Sequence, residues 1–351
     1  MIVLGVETTC DETGVAILED GFRIRANIVN SQIPLHERFG GVVPEIASRA
    51  HAEVVTRLIE RALVEADLSI NDPKPPVDAI AVANRPGLIG ALLVGVTAAK
   101  ALSLAWDVPL IGVDHVHAHI HSVMLSLSNP PETAPREEDY FPAISLVVSG
   151  GHTTLYASRS ATDHEILGNT TDDAAGEAFD KVAALLGLGY PGGPAISSAA
   201  EKGDRQSTRF PRTLLGKDSL DFSFSGLKTA VRYYSKGQDA PRTAPIRPGL
   251  KVEDVAAAFE AAAVDVLVEK LRRAMKQRGM QRAIVCGGVA ANRYLRSELE
   301  SFAKAEGVAV HFPELKLCTD NAAMIAGLGH ALAARGTRHN LSLKASTMTS
   351  P

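Results

Sequence analysis

Apolar and polar positions along the chain change over in short blocks. Ile2 to Val6 is apolar, Glu7 to Thr13 is polar, and Gly14 to Leu18 is apolar again. Two apolar runs joined by a short polar turn predict a β-hairpin. The pattern then lengthens to helical spacing over Ile46–Glu65 and returns to a strand at Ala79–Val82. After a turn at Pro86-Gly87 it predicts a helix over Leu88–Leu104 and a strand over Leu110–Val113. That order mixes hairpins with β-α-β crossovers.

A second round starts near Ala143. Strand Ala143–Val148, the loop Ser149-Gly150-Gly151-His152-Thr153 and strand Thr154–Ser158 repeat the opening plan. Later, Ala283–Cys286 enters Gly287-Gly288 and a helix from about Asn292. The reading is an α/β protein with a duplicated plan. Its lobes span 1–135 and 140–330, the second with a basic insertion at about 201–251, and residues 336–351 form a polar, frayed tail. Asn129–Asp139, rich in proline and charge, reads as an exposed linker.

Composition narrows the function classes. The chain has 351 residues, 46% hydrophobic and 22% charged, with only 5% aromatics, so its core must be built largely from Ala, Val, Leu and Ile. A net charge of −4 excludes a protein that binds nucleic acid by overall charge. RNA contact would need a local patch or a partner. Residues 201–251 supply one candidate, with eleven Lys/Arg against five acids and Tyr233 and Tyr234 among them. Such a stretch suits an RNA backbone and base stacking, a solvated insertion being the alternative. The three cysteines show no CxxC spacing, which points to a reduced, cytoplasmic protein. Met1–Val6 lacks the flanks of a signal peptide, and the apolar run Leu88–Ala99, closed by Lys100, is expected to be too short to span a bilayer.

The densest chemical feature is Asp114-His115-Val116-His117-Ala118-His119-Ile120-His121. On a helix capped by Asp114 these histidines form two (i, i+4) pairs, 115/119 and 117/121, each able to offer two imidazoles to one metal. Spacing does not choose between them. No Glu follows either histidine as in HExxH, so a zincin protease would lack its general base. Asp320, before the small-residue helix Ala322–Ala334, is a candidate third ligand or a plain N-cap. The loops Ser149-Gly150-Gly151-His152, Pro191-Gly192-Gly193-Pro194 and Gly287-Gly288 allow backbone N–H groups close to an anion, without forming a Walker or GxGxxG motif. Thr171–Lys181 holds four carboxylates; on a helix Glu177 and Asp180 share a face.

In order, the motifs GVETTCDETGVAI (5–17), GGVVPEIASRAH (40–51), PGLIGALLVG (86–95), the HxxxH of His115/His119, VSGGHT (148–153), DDAAGEAFDKVAALLGLGYPGGP (172–194), FSFSGLKTA (222–230), GGVAANRYLR (287–296) and CTDNAAMIA (318–326) resemble the tRNA N6-adenosine threonylcarbamoyltransferase family. The resemblance runs from about residue 1 to 330 in one register. It implies a duplicated actin/hexokinase/Hsp70-like ATPase fold, with two lobes around a nucleotide cleft. It implies one divalent metal per subunit, generally iron(II) and sometimes zinc, held by His115, His119 and Asp320. Val148, Ser149, Gly150, Gly151, His152, Asp180, Gly193 and Asn292 would contact threonylcarbamoyl-AMP, and Asp11 and Glu12 would be the acids at the reacting centre. The implied partners are tRNA, a paralogous TsaB-like dimerisation partner and a small TsaE-like ATPase, as in bacterial members. An ATP-hydrolysing or phosphoryl-transferring relative of the same fold is the alternative. The chain departs from the family at Arg85, where a glycine usually precedes Pro-Gly-Leu.

Overall fold

The computed structural model describes residues 1–69, 75–127, 134–214, 216–241 and 243–348. The chain forms two compact units. The first comprises Met1–Phe141, Arg159–His164 and Pro313–Pro351, and the second Pro142–Ser158 and Glu165–Phe312.

The opening hairpin of the first unit is β1 (Ile2–Glu7) and β2 (Glu12–Glu19), followed by β3 (Arg23–Ser31), a short α1 (Ile33–His36), and α2 (Pro44–Glu65). β4 (Ala79–Arg85), α3 (Ile89–Trp106), β5 (Leu110–Asp114) and α4 (His115–His121) complete its N-terminal part. The sheet order is β3-β2-β1-β4-β5, with β1 antiparallel to β2 and parallel to β4. Alternation along a strand sends successive side chains to opposite faces. Leu4 and Val6 therefore join Val15, Ile17, Ile80 and Val82 beneath Leu58, Ile59 and Leu63 of α2 and Val96 of α3. Val3 joins Ala16, Leu18, Ala81 and Val113 on the other face, under a late helix at Ala322–Ala334 (α10).

The second unit repeats this plan. Its strands are β6 (Ala143–Val148), β7 (Thr153–Ser160), β8 (Asp163–Asn169), β9 (Arg282–Cys286) and β10 (Ala309–His311). Between β8 and β9 run α5 (Ala175–Leu186), α6 (Gly192–Ala200), α7 (Ser225–Lys236) and α8 (Val252–Arg278), while α9 (Arg293–Glu306) joins β9 to β10. The order β10-β9-β6-β7-β8, with β6 antiparallel to β7 and parallel to β9, is the first sheet's topology again. This bears out the duplication expected from the hydrophobic pattern.

Several expectations change. Residues 313–351 return to the first unit instead of closing the second, because α10 packs on β1, β2 and β4. The expected frayed tail is held by backbone pairing of His339 to Leu110 and Ser346 to Asn84, with Leu343 buried. The 201–251 stretch contains α7 and is not loop throughout. In the expected linker, residues 129–133 lie outside the described residues, and Glu137–Asp139 form a 3-10 turn.

α3 has 18 residues of mean hydropathy 1.7, long and apolar enough to cross a membrane, against the expectation of a run too short. Lys100 sits within the helix without ending it, and Ala91, Leu92, Gly95, Val96 and Ala99 form its buried face.

β1 and α10 pack closely enough to exclude a side chain at Gly5. A Cβ on Gly5 would lie 2.5 Å from the carbonyl oxygen of Ala322 and 2.9 Å from the Ala326 Cβ. Gly5→Ala should destabilise the fold by about 1–3 kcal/mol through overpacking. Gly41→Ala, where nothing lies within 4 Å, should stay within about 0.5 kcal/mol. Urea unfolding of both variants checks this.

Candidate functional site

In the first unit, β5 ends at Asp114, whose Oδ1 accepts from the backbone N–H of Val116 (3.0 Å) and His117 (3.3 Å). This N-cap starts α4 and puts His115 and His119 one turn apart. Their Nε2 atoms lie 3.5 and 3.1 Å from Asp320 Oδ1, and one potential ligand atom from each residue fits within 4.8 Å. Asp320 immediately precedes α10, which is capped by Asn321 through the Met324 N–H. Its position therefore follows from the seating of that helix.

Behind His115 stands the fully buried Glu7. Glu7 Oε2 is 2.8 Å from His115 Nδ1, and Oε1 accepts the Thr9 N–H at 2.6 Å. A proton on Nδ1 directed at Glu7 turns the other ring nitrogen toward Asp320, the orientation a metal-binding imidazole needs. Burial lowers the proton affinity of His115, but the charges of Glu7 and Asp320 outweigh it and carry its pKa up to about 9. Two imidazole nitrogens and one carboxylate oxygen fit iron(II) or zinc and leave open positions for a substrate.

The other histidine pair diverges. The His117 ring lies 4.6 Å from that of His164, and His121 is buried against Gly327, where a Cβ would meet its ring at 2.7 Å. Of the two pairs that spacing left open, only 115/119 converges on a carboxylate among the described residues.

Asp11 and Glu12 lie at the β1–β2 turn. Asp11 is buried, and its carbonyl accepts the Gln32 N–H at 2.9 Å. Glu12 opens β2 and accepts from Ser31 Oγ at 3.3 Å. Burial, then the charges of Asp320 and Asp11, push its carboxyl up to about 9. Burial likewise raises the neighbouring Cys10 thiol. His51 braces the turn through its contacts with the Cys10 carbonyl (3.0 Å) and Thr13 Oγ1 (2.8 Å), and burial lowers its pKa. At Arg85 the strand carries a bulge and Nε is buried without a hydrogen-bond partner among the described residues. The following turn still forms, with Leu88 N–H on the Thr9 carbonyl at 2.9 Å and Gly87 too close to Thr9 for any side chain.

The second unit gathers the remaining candidates at the carboxyl ends of β6 and β9, where α/β sheets commonly bind ligands. Val148 ends β6. Ser149 closes the loop, its N–H donating to the His152 carbonyl (2.8 Å) and its Oγ accepting the His152 N–H (3.2 Å). Gly150 and Gly151 are exposed, with nothing within 4 Å of a Cβ position. Gly287, at φ +91°, passes so close to Val148 that a Cβ would sit 2.4 Å from its carbonyl oxygen.

Asp180 Oδ1 accepts the Gly192 N–H at 2.7 Å and fixes the start of α6, leaving Gly193 open. Glu177, by contrast, pairs with Lys181 on the exposed side of α5. Asn292 caps α9 through Leu295 N–H (2.8 Å), and its Nδ2 donates to Ser197 Oγ and Glu260 Oε1, both at 2.8 Å. Sequence reasoning missed Glu7, Thr9, Ser197 and Glu260. Glu7 lay within a quoted motif, but its burial behind a histidine has no periodic signature.

A five-stranded mixed sheet used twice, with chemistry at its carboxyl edges, is the actin/hexokinase/Hsp70-like ATPase fold. Solved structures support the fold: full-length HypF in its phosphate- and nucleotide-bound form matches with TM-score 0.60 at 15% identity, over 96% of this chain and 47% of that one. T. kodakarensis HypF matches with TM-score 0.61 at 16% identity, over 95% and 48%. This chain thus spans about half the length of either. The profile of TsaD, tRNA N6-adenosine threonylcarbamoyltransferase, matches residues 23–327. Curated relatives of that name are 49% identical in Syntrophomonas wolfei, over 94% of this chain and 91% of the relative, and 49% identical in Bacillus subtilis, over 96% and 92%. The chain belongs to the tRNA N6-adenosine threonylcarbamoyltransferase family, and it is a transferase acting on tRNA.

If the triad takes a metal, His115 must lose a proton to bind it. Affinity for Co²⁺ should therefore rise about tenfold per pH unit up to near pH 9. The Co²⁺ absorption spectrum should vanish in His115→Ala and Asp320→Ala and persist in His117→Ala. An unchanged spectrum in the first two would remove them from the ligand set.

Proposed function

We propose that the chain transfers the threonylcarbamoyl group of threonylcarbamoyl-AMP to N6 of adenosine 37 in tRNAs that read codons beginning with A. The observation that carries this reading is the convergence of His115, His119 and Asp320 in a chain of this transferase family. One divalent ion, iron(II) or zinc, would be held by these three residues. When bound, it supplies a Lewis acid that polarises the acyl oxygen.

The chain's own residues do the rest. The open backbone of Gly150, Gly151 and Gly193 suits the AMP phosphate, with Val148, Ser149 and His152 shaping the loop and Asp180 and Asn292 meeting the nucleoside. In the transfer, N6 attacks the carbamoyl carbon, the bond from that carbon to the phosphate oxygen breaks, and AMP leaves as its anion. The N6 proton must go to a nearby base. Asp11 and Glu12 are the acids placed to accept it; burial and the charges of Asp320 and Asp11 hold a proton on Glu12, so Glu12 must give that proton up before it can act as the base.

The implied TsaB-like partner finds support in apolar side chains exposed on α2 and α3: Val64, Ile89, Leu93 and Leu104. A TsaE-like ATPase completes the bacterial set. The three free cysteines agree with a reducing cytoplasm.

The test is a mixture of the full chain, its partner proteins, threonylcarbamoyl-AMP and unmodified tRNA. Mass spectrometry should find the modified nucleoside together with released AMP. ATP turnover without modified nucleoside would instead favour the ATP-hydrolysing alternative. Glu12→Gln should slow single-turnover transfer by about 100-fold or more. A full rate in that variant would remove Glu12 as the base.

A further inference from the structure

The second unit contains a pocket outside the site just described. It has a volume of about 340 Å³ and is lined by Arg205, Gln206, Thr208, Arg209, Arg212 and Asp265. Two of its guanidinium groups are partly compensated. Arg205 pairs with the buried Glu260 at 2.8 Å and lies 4.2 Å over the Tyr294 ring, and Arg212 pairs with Asp265 at 2.8 Å. Arg209 is exposed and forms no hydrogen bond or ion pair with the described residues. Three arginines against one lining carboxylate leave the pocket positive, and one guanidinium is free to make a bidentate contact.

The pocket is also joined to the candidate nucleotide residues. Glu260 Oε2 holds Arg205, while its Oε1 accepts Ser197 Oγ (3.0 Å) and Asn292 Nδ2 (2.8 Å). One buried carboxylate thus anchors both the pocket wall and a residue proposed to meet the nucleoside. An anion bound at Arg209 would lie on the same unit as the residues proposed to hold the adenylate, in a pocket whose Arg205 wall packs on Tyr294 of α9.

We propose that this pocket binds a phosphodiester of the tRNA backbone, with Arg209 as its principal contact. The inference rests on the tRNA-modifying reading above and deepens it by naming where the RNA is gripped. A phosphodiester carries one negative charge, matching one uncompensated guanidinium. Thr208 and Gln206 add polar side chains at the rim. Such a contact positions the RNA without reading its sequence.

The test measures tRNA binding directly, by fluorescence anisotropy with the full chain and its partner proteins, and transfer kinetics separately. Arg209→Ala should weaken tRNA binding roughly three- to tenfold and flatten the slope of log affinity against log salt by about one. It should raise KM for tRNA with little change in kcat or in KM for the adenylate, and Arg209→Lys should recover part of the loss. Lys276→Ala removes an exposed charge from α8 of the same unit and should change binding less than twofold. Equal losses in Lys276→Ala and Arg209→Ala, or none in Arg209→Ala, would overturn the pocket assignment. Inorganic phosphate at low millimolar concentration displacing the tRNA completely would assign the pocket to a small anion and overturn the phosphodiester reading.

The two readings fail separately. Weaker binding in Arg209→Ala without any modified nucleoside in the wild type retains the pocket and rejects the transfer reaction. Normal binding in Arg209→Ala with full modification does the reverse.

Discussion

The close approach of α10 to β1 is the contact on which the first unit's chemistry depends. Two backbones can come this near only where side chains are absent or small. Gly5 and Gly14 clear the strands, and Ala322 and Ala326 clear the helix. Gly329 does the same beside Ala81, where a Cβ would fall 2.3 Å from that residue's own. The contact joins segments more than three hundred positions apart and sets the height of the helix over the sheet. Asp320 sits immediately before that helix, so its distance to His115 and His119 is inherited from packing. Asn321 then closes the turn by capping α10 through the Met324 N–H. Asp320 is thus a plain helix-start residue in sequence and a potential ligand in space.

Each half of the duplicated fold also places a buried carboxylate behind its candidate site. Glu7 is fully buried behind His115, and Glu260 is 1% exposed behind Asn292. Burying a carboxylate costs several kcal/mol unless hydrogen bonds and opposite charge replace the lost water. Both are supplied: Glu7 by Thr9 N–H and His115, Glu260 by Ser197, Asn292 and Arg205. The consequence is rigidity, since removing any partner leaves part of a buried acid's desolvation cost uncompensated. The repeated topology carries different chemistry on each copy: imidazoles at the end of β5, open glycines at the end of β6. A shared fold therefore locates the sites without dictating what they do.

What was legible in the sequence follows the strength of local signals. The apolar runs of β1 and β2, the 3.6-residue spacing of α2 and the small-residue block Ala322–Ala334 were readable because each satisfies its pattern within its own span. β3 and β8 were missed because they are outer strands on which half-buried and exposed residues outnumber buried ones, which weakens the alternation. α8 was missed although it is the longest helix described. Its apolar residues run nearly all round, so no stripe marks it, and it buries Glu260 and Lys270. Lys270 is tolerated there by donating to the carbonyls of Leu214 (2.7 Å) and Ser219 (2.6 Å), which lie some fifty residues away. At the site, the histidine motif was visible but the choice of pair was not. Both pairs obey the same helical spacing, and only the tertiary placement of Asp320 and Glu7 separates them.

Composition misleads on charge for a related reason. The excess of basic residues over 201–251 suggests a broad cationic face, yet four of them are spoken for. Arg205, Arg212, Lys228 and Lys251 pair with Glu260, Asp265, Asp173 and Asp254, all from outside the segment. Tyr234 meets Phe210 edge-to-face at 5.5 Å and so belongs in part to packing, while Tyr233 carries Arg232 at 5.0 Å. Ion pairing of this kind ties the segment to α8 and to the loop before α5, and lowers its long-range field. A chain of net charge −4 then has no general attraction for RNA. Recognition must come from a few unpaired groups held in fixed positions, which favours contacts that orient a tRNA over contacts that merely retain it.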